Sequence, residues 1–139
     1  MIGLVLAAHG SLPQAFLESA DMILGEVEQM ATISLLPGDS LEGLIDRIRE
    51  AVQEVDTGDG VLILLDLFGG TPANASAYLT QQMEKVHAVT GVNFPMLAEI
   101  ILSRPGFSDA GELAASAVTA GQAGIVNVVE AFKKFQANQ

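Results

Sequence analysis

The chain opens on an unbroken apolar run, Ile2 to Ala8, of the kind a strand shows when both its faces are buried. Phe16, Leu17, Ala20, Ile23 and Val27 then recur near helical spacing and predict a helix from about Ser11 to Leu24, with Gly25 near its end. Met30 to Leu35 reads as a second strand, closed by Pro37-Gly38. The clearest helical stripe follows, Leu41, Leu44, Ile45, Ile48, Val52 and Val55, with Asp39 and Glu42 resembling a capping box ahead of it. The stretch TGDG, residues 57 to 60, ends that helix, and Val61 to Asp66 is a third buried strand. Thr71-Pro72 predicts a helix start with Thr71 as N-cap, the helix running to about Met83. Val86 to Thr90 is a short fourth strand, Pro95 to Leu102 and Asp109 to Ala120 are helices, and Ile125 to Val129 is a last, short strand candidate.

Strands and helices therefore alternate, which implies an α/β fold: an open, mainly parallel β-sheet with helices on both faces. The expected strand order is the flavodoxin-like 2-1-3-4, with a short antiparallel C-terminal strand added. One domain over residues 1–135 is expected, and residues 136–139, QANQ, read as a frayed end.

Composition narrows the class. Of 139 residues, 50% are hydrophobic and 17% are charged, with no cysteine, no tryptophan and two histidines. No apolar stretch reaches the roughly 18 residues that a membrane span needs. The N-terminus has no basic region ahead of its apolar run, so no signal peptide is read and a cytoplasmic location is expected. Without cysteine there is neither a disulfide framework nor a thiol nucleophile. The net charge of −11 argues against nucleic acid and suits a basic partner protein.

In an open α/β sheet, ligands bind beyond the carboxyl ends of the strands, where the strand order reverses. His9 follows the first strand at that end, and Asp66 ends the third. In the expected order these strands are neighbours, so the two side chains can meet. A carboxylate on one ring nitrogen fixes the imidazole tautomer and leaves the other nitrogen free to attack as a nucleophile. His87 begins the fourth strand, toward the opposite end, and is expected to be structural or exposed. Gly10-Ser11 opens one helix and Gly69-Gly70-Thr71 another, and helix N-termini offer free N–H groups to an anion.

Only three arginines and three lysines are present, none in the turns after strands one and three. A histidine phosphatase would want arginine where Ala8 stands, and a kinase would want a phosphate-binding lysine and metal carboxylates. No G-x-S-x-G nucleophile elbow is present. No metal or other cofactor is expected. So cation-poor a site suits holding a phosphoryl group briefly and passing it on.

Four stretches, AAHGSLPQAF (7–16), LPGDS (36–40), LLDLFGGTPANAS (64–76) and VTGVNFPMLAEI (89–100), give the chain a family resemblance. It resembles the IIA component of the mannose family of the bacterial phosphoenolpyruvate:sugar phosphotransferase system, over nearly its whole length. The resemblance implies that His9 is phosphorylated and that Asp66 orients it. It further implies that Ser11, Phe68, Gly70, Thr71 and the loop from Asn93 to Pro95 line the site, with Gly10 and Gly69 in the turns; some relatives carry tryptophan in place of Phe68. The implied partners are HPr as phosphoryl donor, a separate IIB component as acceptor, and membrane IIC and IID components indirectly. A homodimer is expected too, built by exchange of the C-terminal strand. Two alternatives stand beside this reading. One is the phosphoryl-transfer subunit of dihydroxyacetone kinase, against which GGTPAN and GVNFPML argue; the other is a regulatory module not coupled to transport.

Overall fold

The computed structural model describes residues 1–139. β1 (Gly3–His9) lies between β2 (Met30–Leu35) and β3 (Val61–Leu65), and β3 pairs on its other side with β4 (Val86–Val89). All three pairings are parallel and the order is β2-β1-β3-β4, as expected from the sequence. Hydrophobic side chains on every position of β1 from Leu4 to Ala8, and on all of β3, are needed because these central strands are covered on both faces.

One face carries Val5, Ala7, Ile63 and Leu65 against Leu44, Ile48 and Val52 of α2 (Leu41–Val55) and Ala75 and Leu79 of α3 (Gly70–Gln82). The other carries Leu4, Leu6, Leu62 and Leu64 against Ala20 of α1 (Leu12–Leu24) and Leu97 and Ile100 of α4 (Phe94–Ser103). Leu113 and Ala117 of α5 (Ala110–Ala123) complete that layer. Crossovers of one hand force this division: the chain steps from β1 to one side for β2 and back across to β3, so α1 and α3 fall on opposite faces. Their N-termini flank the gap between the ends of β1 and β3.

Three local expectations are corrected. The N-cap of α2 is Ser40, whose hydroxyl accepts the Gly43 N–H at 3.1 Å. Asp39 instead folds back on its own loop, accepting the Leu36 N–H at 2.8 Å and pairing with Arg47 at 3.2 Å. Thr71 is not an N-cap either: α3 begins one residue earlier, at Gly70, with Gly69 at the cap and no side-chain bond. The left-handed backbone at Gly69 (φ 126°) and Gly70 (φ 70°) makes the sharp turn that brings this start forward.

The third correction concerns the C-terminal strand. The sheet has four strands, and no antiparallel strand is added; the end of the chain forms α6 (Val128–Ala137), capped by Asn127, whose side chain accepts the Glu130 N–H at 3.2 Å. Ile125 to Val129 is a continuous apolar run, but Val128, Val129, Phe132 and Phe135 together follow helical spacing. A helix satisfies its backbone locally, whereas a strand needs a sheet edge to pair with. α6 buries none of its residues, and β4 is left as an open edge.

At the amino ends of the strands, Arg104 is almost fully buried in a turn of 3-10 helix after α4. Its guanidinium donates to the carbonyls of Ile2 and Gln29, both at 3.1 Å, and to that of Glu28. It ties the start of β1 to the segment entering β2. Arg104→Ala should destabilise the chain by about 3 kcal/mol, because three carbonyls lose their donor and a cavity opens. Urea denaturation checks this; a loss under about 1 kcal/mol would show that water replaces the guanidinium freely.

Candidate functional site

β1 and β3 run side by side with Ala7 opposite Leu65, which brings the residues just beyond this pair together. His9 is the last residue of β1 and Asp66 the first after β3. The Asp66 Oδ2 atom accepts the His9 backbone N–H at 2.9 Å and lies 2.8 Å from the His9 Nδ1. Its Oδ1 accepts the Leu67 N–H at 3.0 Å. Since a carboxylate only accepts, this contact places the ring proton on Nδ1 and leaves the Nε2 lone pair free. The imidazole side chain is 55% exposed while the Asp66 side chain is only 13% exposed, so the nucleophile faces outward and its orienting group faces in.

Burial pushes the Asp66 carboxyl up, but the His9 N–H, the His9 ring and the charge that ring can carry outweigh it. The net result holds Asp66 below its ordinary value of 3.8. It is therefore a carboxylate wherever the protein is folded near neutrality, able to stabilise a cationic ring.

Gly10, at φ 60°, turns the chain out of β1, and its N–H is held by the Leu35 carbonyl at 3.0 Å. Ser11 occupies the N-cap position of α1 but makes no side-chain capping bond, so the helix does not use its hydroxyl. Gly69, Gly70 and Thr71 sit at the N-terminus of α3, across the gap from that of α1. Phe68 stands out from the same turn, 86% exposed. Asn93 lies beyond β4, where its Oδ1 caps α4 through the Met96 N–H at 3.0 Å and its Nδ2 donates to the Gly121 carbonyl at 2.9 Å. Pro95 is in the first turn of α4 and packs against Gly124. Both of these residues thus brace the loop after β4 against α5.

His87 lies exposed on β4, its ring against Gly111 in the first turn of α5, and it has no hydrogen-bond partner. No group of three or more His, Cys, Asp or Glu side chains is placed to hold a metal ion. No helix is long and apolar enough to cross a membrane. Arg104 and the Asp39–Arg47 pair carried no sequence signal, because what they bind are carbonyls and amides brought close only by folding.

An exposed imidazole held by a carboxylate, set between two helix N-termini at the switch point of a parallel sheet, defines a phosphohistidine-type carrier site. The family model EIIA-man, described as PTS system fructose IIA component, matches residues 3–118, and the chain belongs to this family. The mannose-specific EIIAB component of Escherichia coli strain K12 is 36% identical over 124 residues, covering 89% of this chain and 38% of that protein. The chain thus spans well under half the length of that two-component relative. The fructose-specific EIIA component of Bacillus subtilis strain 168 is 33% identical over 104 residues, covering 75% of this chain and 71% of that protein. Among solved structures, a phosphotransferase system component EIIA from Streptococcus agalactiae superposes with a TM-score of 0.85 at 31% identity. That match covers 94% of this chain and 99% of the other.

Asp66→Asn should fold, since an amide keeps one acceptor, yet lose the charge that sets the tautomer and steadies the ring. Nitrogen-detected NMR should find the Nδ1–H form of His9 in the wild type and a tautomer mixture in the variant. The pH sign also follows. A carboxylate with a lowered folded pKa stabilises the native state above about 3.9, and that contribution is lost as pH falls through the folded value. The Tm difference between wild type and Asp66→Asn should therefore be constant from about pH 5 to 7 and narrow below about pH 4. A difference that grows in acid would contradict the assignment.

Proposed function

We propose that the chain is a phosphoryl relay of the sugar phosphotransferase system, accepting phosphate from phospho-HPr on His9 and passing it to a histidine of a separate IIB component. The observation that carries this reading is the 2.8 Å contact of His9 Nδ1 with Asp66 Oδ2, beside an exposed Nε2. In the forward step Nε2 attacks the phosphorus of the donor's phosphohistidine. A new N–P bond forms as the donor's N–P bond breaks, and the electron pair returns to the donor ring. The His9 ring, still protonated at Nδ1, becomes cationic, and the Asp66 carboxylate stabilises it across the hydrogen bond. Transfer to IIB is the same exchange with His9 as the leaving group. Gly10, Ser11, Gly69, Gly70 and Thr71 supply backbone N–H groups and hydroxyls at two positive helix ends for the phosphoryl oxygens. We assign Phe68, Asn93 and Pro95 to the rim of the site. No metal or cofactor enters this scheme. A cytoplasmic location and indirect association with membrane IIC and IID components complete the reading.

A homodimer belongs to the same proposal. α6 presents Val128, Val129, Phe132 and Phe135 to solvent. The open β4 edge borders a groove of about 630 Å³ lined in part by Phe68, Ala77, Ala88 and Val118. The apolar arm of one subunit can cover this groove on its partner.

Purified phospho-HPr, in chelator, should load one phosphoryl group on His9, and His9→Ala should stay unlabelled. Label retained by that variant would sink the assignment. Asp66→Asn should slow transfer on the order of tenfold or more. Truncation after Gly121 should lower the mass by light scattering from dimer to monomer, or cause aggregation through the bared edge. A full-length chain that is monomeric at micromolar concentration would refute the dimer.

A further inference from the structure

The charge of −11 is unevenly placed. Between helices and the elements that follow them, at the amino edge of the sheet, lie the carboxylates Glu26, Glu28, Asp56, Asp59, Glu84 and Asp109. At the opposite edge, the connections from strand ends to helices span residues 10–11, 36–40, 66–69 and 90–93. They contain only two carboxylates, and both are engaged: Asp39 with the Leu36 N–H and Arg47, Asp66 with His9. The nearest free acid along the chain is Glu42, in the first turn of α2. The N-termini of α1, α2, α3 and α4 all open on this edge and add positive partial charge.

Uncharged side chains fill the space that acids vacate. Leu12 and Leu41 at the starts of α1 and α2, Leu36 after β2, and Leu67 and Phe68 after β3 are each between 41% and 86% exposed. His9 stands among the segments that bear them, in register with Leu35 and bonded to Asp66. Large apolar side chains left in water around a reactive group mark a docking surface, and the centres of protein interfaces are depleted of charge.

We propose that the phosphohistidine proteins that exchange with His9 dock on this uncharged apolar collar, and so present an apolar rim around their own phosphohistidine. This rests on the relay reading above and specifies what its partner must look like. Net charge alone suits a basic partner held by ion pairs, but the carboxylates such a partner would need lie mainly at the far edge. Their placement there has a different use. A phosphoryl anion approaching the carboxyl edge meets helix dipoles and no free carboxylate, while the amino edge repels it, so the field orients the encounter without supplying the contact.

Charge-reversal pairs test this. Leu36→Glu and Leu36→Lys should each raise the KM for phospho-HPr about tenfold with kcat nearly unchanged, because an apolar contact is harmed by either sign. Leu41→Glu and Leu41→Lys should behave alike, which guards against a local effect at one loop. Wild-type KM should change less than about twofold between roughly 50 and 500 mM KCl, since little charge pairing is there to screen. Phosphoramidate, a small donor that needs no docking, should label His9 in all these variants at the wild-type rate. If the Glu and Lys variants shift KM in opposite directions, if neither shifts it, or if salt raises wild-type KM tenfold, the collar proposal fails while the relay stands. Should neither donor label wild-type His9, the relay reading fails and the collar proposal with it.

Discussion

The hydrogen bond between His9 and Asp66 depends on two parallel strands being neighbours, and most of the molecule serves to keep them so. β1 and β3 are the central pair, apolar on both faces from Leu4 to Ala8 and from Val61 to Leu65, and a helical layer covers each side. Because side chains alternate strictly along a strand, a slip of one residue between the two would move Asp66 away from the imidazole and exchange the two core faces at once. The packing that makes the fold stable is therefore the same packing that fixes the 2.8 Å contact. His9 can stand half in solvent and still be oriented, because its partner is held by backbone amides beneath it.

The two edges of the sheet divide the remaining work. Helices in this topology start at the carboxyl edge and end at the amino edge, so dipoles point positive at one and negative at the other. At the amino edge Arg104 gathers three carbonyls from β1 and the entry to β2 into one buried guanidinium. That edge also carries most of the acidic loops, which solvate it. The carboxyl edge is shaped by glycines that turn the chain sharply out of β1 and β3, and by Asn93, which joins α4 to α5. Rigid turns suit a site that must receive a group and release it without holding it by charge.

Family membership and site geometry bear on different parts of this picture. The EIIA match over residues 3–118 stops before α6, so the body with its site is the shared unit. α6 has an apolar face and nothing packed on it within one chain, and β4 has an uncovered edge. A single copy leaves both unsatisfied, which is why assembly belongs with function in this protein.

Much of this was legible in the amino-acid sequence because it depends on local pattern. Unbroken apolar runs specified the central strands, the spacing from Leu41 to Val55 specified α2, and alternation of the two specified a parallel sheet and its order. His9 and Asp66 could be paired before any coordinates, since topology puts strand ends one and three together. Caps were less legible: Asp39, Ser40, Gly69 and Thr71 are all acceptable at helix starts, and the choice fell to loop closure at Arg47 and to the left-handed glycine pair. The last segment was misread as a strand because five apolar residues in a row fit either state, and length and an available edge decide between them. What only the tertiary structure determined is what distant segments do to one another. It tied Arg104 to Ile2 and Glu28, moved the acids to one edge, and left an apolar rim around His9, none of which has a period or a motif to betray it.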